Sequence, residues 1–156
     1  MEILASAVLV GSVATALTDL WSLARRRFLG VPLPDFGLVG RWLTHMRHGQ
    51  FRHASIAAAT PVINERLIGW IAHYSIGIAF AGLLLGLYGP DWILQPRLLP
   101  ALLVGLGTLA APLLLMQPGM GVPFTARRAL HGLFTHTVFG VGLYVAGWSA
   151  NLLFIN

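Results

Sequence analysis

The chain has 156 residues, of which 56% are hydrophobic and 10% charged, with a formal net charge of +5 and a mean hydropathy of +0.76. About a quarter of the residues in a soluble domain are charged, so this composition excludes one and leaves an integral membrane protein. The positive charge is all arginine and sits at the edges of apolar stretches, which argues for a lipid bilayer as partner and against nucleic acid.

A helix needs roughly 20 apolar residues to cross a bilayer. Four stretches qualify, over residues 3–23, 67–88, 98–116 and 129–150, with a long loop over 24–66. They predict an all-α polytopic membrane protein with a single four-helix domain over 1–156. In the first span Ala7, Gly11 and Thr15 recur at four-residue spacing, which suits close helix packing. Asp19 follows near its inner end, then Trp21 as an interfacial ring. Met1-Glu2 lacks the basic start of a signal peptide and Arg25-Arg26-Arg27 follow the apolar run, so the span is expected to be an uncleaved anchor.

The loop opens with Gly30-Val31-Pro32-Leu33-Pro34-Asp35, which breaks any helix. From Gly37 to His48 the residues Leu38, Val39, Trp42, Leu43 and Met46 recur at helical spacing, while Arg41, Thr44, His45, Arg47 and His48 fall between them. That pattern predicts a short amphipathic helix lying on the inner leaflet, stopped at Gly49. Ser55 to Thr60 is a second short helical segment before Pro61. The second span follows Asn64-Glu65-Arg66 and ends at a tight outer turn, Gly89-Pro90-Asp91-Trp92. The third carries Gly105, Gly107, Thr108 and Pro112, where a kink is expected. It ends in a turn-rich loop, Gln117-Pro118-Gly119-Met120-Gly121, and the fourth span runs on to Asn151.

Nine of the ten arginines fall on one side of this arrangement; only Arg97 falls on the other. The positive-inside rule then makes the first and third loops cytoplasmic and places both termini outside.

The second and fourth spans share a signature. Gly69-Trp70-Ile71-Ala72-His73-Tyr74-Ser75-Ile76-Gly77 and Gly132-Leu133-Phe134-Thr135-His136-Thr137-Val138-Phe139-Gly140 both read G-x3-H-x3-G. Four-residue spacing puts each histidine on one stripe between two glycines, where a neighbouring helix or a flat ligand can approach. Both spans run in the same direction, so the chain is expected to be two parallel-repeat hairpins about a pseudo-two-fold axis.

Counted from the arginine at each inner edge, Asp19 lies roughly 9 Å deep, His73 roughly 10 Å and His136 roughly 12 Å, with Thr108 somewhat deeper. Ionisable groups at membrane depth are functional-site candidates by default. Asp19, His73, His136 and Thr108 are therefore the candidate site. It has several open uses: a proton site, a small-ligand site including that of a small transporter or channel-like protein, a metal shell of Asp19, His73 and His136, or bis-histidine ligation of haem b. It is also open to need no cofactor and to serve as a hydrogen-bonded layer that fixes helix packing in an accessory subunit, within a homo-oligomer or a larger membrane complex. His45, His48, His53 and Glu65 form a secondary candidate metal cluster in the cytoplasmic loop, and Gln117 a secondary ligand contact. With no cysteine there are no disulfides, thiolate metal sites or iron–sulfur clusters. No Walker A sequence, H-E-x-x-H or serial histidine box occurs, so several enzyme classes find no support and a non-enzyme is favoured without being settled.

Several short motifs, in this order, resemble the uncharacterised bacterial family of small membrane proteins catalogued as domain of unknown function 2938. They are Asp19-Leu20-Trp21, Gly40-Arg41-Trp42, Pro61-Val62 with Glu65, Gly69-Trp70 with His73-Tyr74, Gln117-Pro118-Gly119-Met120-Gly121, and His136 with Phe139-Gly140-Val141-Gly142-Leu143-Tyr144. The resemblance implies a bacterial inner-membrane protein and carries no catalytic role.

Overall fold

A computed structural model of the chain describes residues 3–154. The described residues form six α-helices and short 3-10 and π turns, with no strand among them. Helix α1 spans Ile3–Leu29, α2 Phe36–Met46, α3 Glu65–Tyr88, α4 Leu98–Gly107, α5 Gln117–Met120 and α6 Ala126–Phe154. Four segments are long and apolar enough to cross a membrane: Ile3–Leu29, Glu65–Tyr88, Leu98–Met120 and Ala126–Leu152. The protein is a multi-pass membrane protein. Large apolar side chains such as Leu4, Leu67, Leu99 and Leu114 stay exposed on the outside of the bundle, as a lipid-facing surface requires.

The four long segments form a ring in which α1 packs on α3 and α6, α6 packs on α4, and α3 touches α4 only lightly. Close approach is set by glycine. A Cβ on Gly11 would fall 2.5 Å from the Ile78 Cα across the α1–α3 crossing, and one on Gly77 would overlap the Thr15 hydroxyl. At the α4–α6 crossing a Cβ on Gly105 would overlap the Gly140 backbone. In lipid the apolar solvent gives no hydrophobic drive between helices, so such backbone proximity, with its dispersion contacts, holds the bundle.

The half of the bundle nearest residues 89–97 is filled by a core of Val10, Ala14, Leu84, Leu85, Trp92, Ala101, Phe139, Leu143 and Ala146. Trp92, expected only in a turn, sits within this core after a 3-10 turn over Pro90–Ile93.

Two elements depart from their expected form. The third span does not end before Gln117: α4 gives way to a π turn over Pro112–Met116, and the helix then resumes as α5 to Met120. Pro112 has no N–H and crowds the carbonyl four residues before it, so the helix widens and Gln117 N–H bonds to Pro112 O. Gly121 then stops the chain in the left-handed region, at φ +69°.

The second departure concerns α2. Asp35 caps it, its carboxylate accepting from the Gly37 N–H at 2.9 Å. Instead of resting on a leaflet by its apolar stripe, the helix crosses α3 backbone to backbone. A Cβ on Gly40 would overlap the Glu65 carbonyl, and one on Gly69 the Phe36 carbonyl. Arg41 therefore turns inward. It is 8% exposed, pairs both nitrogens of its fork with Glu65 at 2.8 Å, and donates to the carbonyls of Ile56, Ala57 and Ala59. The hydrogen bond to Glu65 holds the guanidinium above its ordinary pKa, against the opposing effect of burial. The loop after α2 closes onto α5: His53 N–H donates to Gly119 O at 2.9 Å, and the Trp42 ring lies against Gly119.

Candidate functional site

Below the packed core the four helices separate around a cavity of about 380 Å³. Its walls come from α1 (Thr15, Thr18, Asp19, Ser22), α3 (His73, Ile76, Gly77, Phe80), the π-turn segment (Thr108, Ala111, Pro112, Leu115, Met116) and α6 (Thr135, His136, Phe139). Helix α2 closes the arginine-rich end with Phe36, Val39, Trp42 and Leu43. The stripe expected to face lipid is thus in good part the floor of a cavity. The widened turn at Pro112 forms part of this cavity's wall.

Two polar pairs stand in this otherwise apolar chamber. On one wall His73 Nε2 lies 3.0 Å from Asp19 Oδ1, and the Tyr74 hydroxyl donates to Asp19 Oδ2 at 3.0 Å. Phe36 stacks on the His73 ring, with centroids 4.2 Å apart. On another wall His136 Nδ1 lies 2.6 Å from Thr108 Oγ1, whose hydroxyl reaches Gly105 O at 2.5 Å. All four principal candidates face one cavity. They meet as two pairs, each bridging two helices. Thr18 and Thr15 donate their hydroxyls back to the carbonyls four residues earlier.

The proposed metal shell is not assembled. Among the described residues no group of three or more His, Cys, Asp or Glu could hold a metal ion. His136 is bound to Thr108 on its own wall, so Asp19 and His73 lack a third ligand. The cluster expected in the first loop fails for a similar reason. Glu65 is taken by Arg41, His48 is exposed on the turn after α2, and His45 pairs with His53 at 2.8 Å and with the Thr60 carbonyl at 3.1 Å. Gln117 does not face the cavity; its buried Oε1 has no partner among the described residues. His73 and His136 each spend one ring nitrogen on a protein partner, Asp19 and Thr108 respectively.

Sequence reasoning missed Tyr74 as a second donor to Asp19, along with Phe36 and Trp42 as part of the cavity floor. Tyr74 directly follows His73, and only its length lets a neighbour on the helix reach the same carboxylate. A second, more polar cavity of about 610 Å³ opens beside the first, lined by Asp19, Ser22, Pro34, Asp35, Phe36, Arg66 and Trp70 among others. Asp19 lines both spaces.

Four membrane-spanning segments around an inward-facing Asp–His pair place the chain in the class of small polytopic helical membrane proteins. Residues 8–150 match the model of the family described as "Protein of unknown function (DUF2938)", and the chain belongs to that family. No curated protein and no solved structure matches it.

Proposed function

We propose that this protein is a bacterial inner-membrane protein that binds a small amphipathic molecule in the cavity between its helices, as a carrier or small transporter would. The observation that carries this reading is the single chamber onto which both Asp19–His73 and Thr108–His136 open. Pockets of a few hundred Å³ with apolar walls and few polar groups are the usual form of small-molecule sites. A purely structural polar layer would pack its partners tightly, with no space beside them. The arginine distribution supports cytoplasmic placement of α2 and its loops, with both termini outside. A relation between the hairpins is supported by two parallels: Gly11 meets Gly77 as Gly105 meets Gly140, and Thr15 and Thr108 each bond back to those first glycines. The unequal α1–α6 and α3–α4 contacts limit any such symmetry to the hairpins themselves.

The test uses the absence of native cysteine. A cysteine replacing Thr18, on the cavity wall, should react with N-ethylmaleimide in protein reconstituted in lipid nanodiscs. One replacing Val10, in the packed half, should not. The neutral amphiphile 4-phenylbutanol should slow the reaction at position 18 severalfold. An unreactive Thr18→Cys, or one that 4-phenylbutanol leaves unprotected, would count against a ligand cavity.

A further inference from the structure

We propose that the ligand is a lipophilic ammonium, a molecule with an apolar body and a protonated amine that retains at least one N–H. This deepens the cavity reading and rests on it. The Gly105 carbonyl only accepts, so the single hydroxyl hydrogen of Thr108 goes to it across 2.5 Å. His136 Nδ1, 2.6 Å from the same oxygen, must then be the donor. A neutral imidazole carries one N–H, so its Nε2 is left with a bare lone pair. On the opposite wall the Asp19 carboxylate accepts from the Tyr74 hydroxyl and from His73 Nε2. A carboxylate has lone pairs beyond those two.

Both polar poles of the cavity therefore present acceptors, and one of them is a carboxylate. No arginine or lysine lines the chamber; Arg66 belongs to the neighbouring vestibule. The walls include Phe36, Trp42, Phe80 and Phe139, whose ring faces attract cations in a dry setting. A carboxylate, a phosphate or a quinone brings only further acceptors; the two polar pairs, with neutral imidazoles, offer it no donor, and the Ser22 hydroxyl is the one left in the lining. An ammonium brings charge for Asp19 and an N–H for His136. Because Asp19 also lines the vestibule, such a head can reach the carboxylate without unpacking a helix.

The experiment extends the Thr18→Cys protection assay to a matched series in nanodiscs: 4-phenylbutylammonium, 4-phenylbutanol and 4-phenylbutanoate, compared at equal membrane concentration. The ammonium should half-protect at a concentration at least tenfold below the alcohol, and the carboxylate should protect least. Asp19→Asn, nearly isosteric, should bring the ammonium-to-alcohol ratio close to one. Thr108→Val removes the acceptor that fixes the His136 tautomer and should lower the ratio severalfold even if Asp19→Asn does not fold. Nitrogen-15 spectra of histidine-labelled protein should show His136 protonated at Nδ1 and bare at Nε2. Equal protection by the alcohol, or better protection by the carboxylate, would overturn the ammonium assignment and leave the cavity standing as a ligand site. Protection by none of the three would overturn both.

Discussion

Arg41 shows how one residue changes role between sequence and structure. Its position between apolar residues on α2 suggests a solvated or headgroup-facing charge. In the fold it is the clamp of the arginine-rich end, tying α2 to Glu65 of α3 and to the 3-10 turn over Ile56–Ala58. The Arg41→Ala variant removes both ion-pair bonds and leaves Glu65 without its partner. It should lower unfolding stability by about 2 kcal/mol, less than for a wholly enclosed pair because Glu65 is partly open to water. Arg41→Lys should recover only part of that loss, since an ammonium cannot reproduce the planar two-point contact. Reversible unfolding in mixed micelles would measure both; equal stability of Arg41→Ala and the parent would refute the clamp. Tyr74→Phe is the milder case. It removes one of two donors to Asp19 and should cost about 1 kcal/mol in the same measurement while leaving the His73 contact in place.

At the scale of elements, the glycines divide by what they touch. Gly40 and Gly69 are the surface on which α2 crosses α3, and neither has room for a methyl group. Gly86, on the same α3, has nothing within 4 Å of where its Cβ would stand. Propensity alone says that replacing either Gly40 or Gly86 by alanine should strengthen its helix by up to about 1 kcal/mol. Packing reverses the sign at Gly40. Gly40→Ala should detach α2, expose the loop over 47–64 to limited proteolysis and open the cavity from the arginine-rich end. Gly86→Ala should be neutral or slightly stabilising. Identical protease resistance in the two variants would show that the crossing does not hold α2. The π turn at Pro112 belongs to the same scale: a kink is legible in the sequence, but its consequence, a widened helix beside a cavity, depends on which helices flank it.

For the whole molecule, the open matter is orientation, which the arginine asymmetry predicts. Single cysteines at His48 and Asp91 suit the test, because both positions are exposed, whereas Arg41 is buried. An impermeant thiol reagent applied to intact cells should label the Asp91 site alone. Labelling at His48 would reverse the topology and place α2 and the vestibule on the outer face.

The features of this protein that depend on local chemistry can be read from the chain directly. Four apolar runs must span, because lipid satisfies no backbone hydrogen bond and only a helix of such length satisfies its own. Asp35 caps α2, Gly49 and Gly121 stop their segments, and Pro112 disturbs its helix, each for reasons held within a few residues. Asp19, His73, Thr108 and His136 stood out because ionisable or polar groups are rare at that depth. Their partners emerge only from the packing of the helices. Depth along a helix follows from residue counting, but rotation about its axis and the choice of neighbour do not. Whether His136 met Asp19 or Thr108 was therefore unreadable, and so was the inward turn of Arg41. The cavity belongs to the same category: it is space left between helices, bounded by the crossings where glycines let backbones touch and by the π turn at Pro112 on its wall.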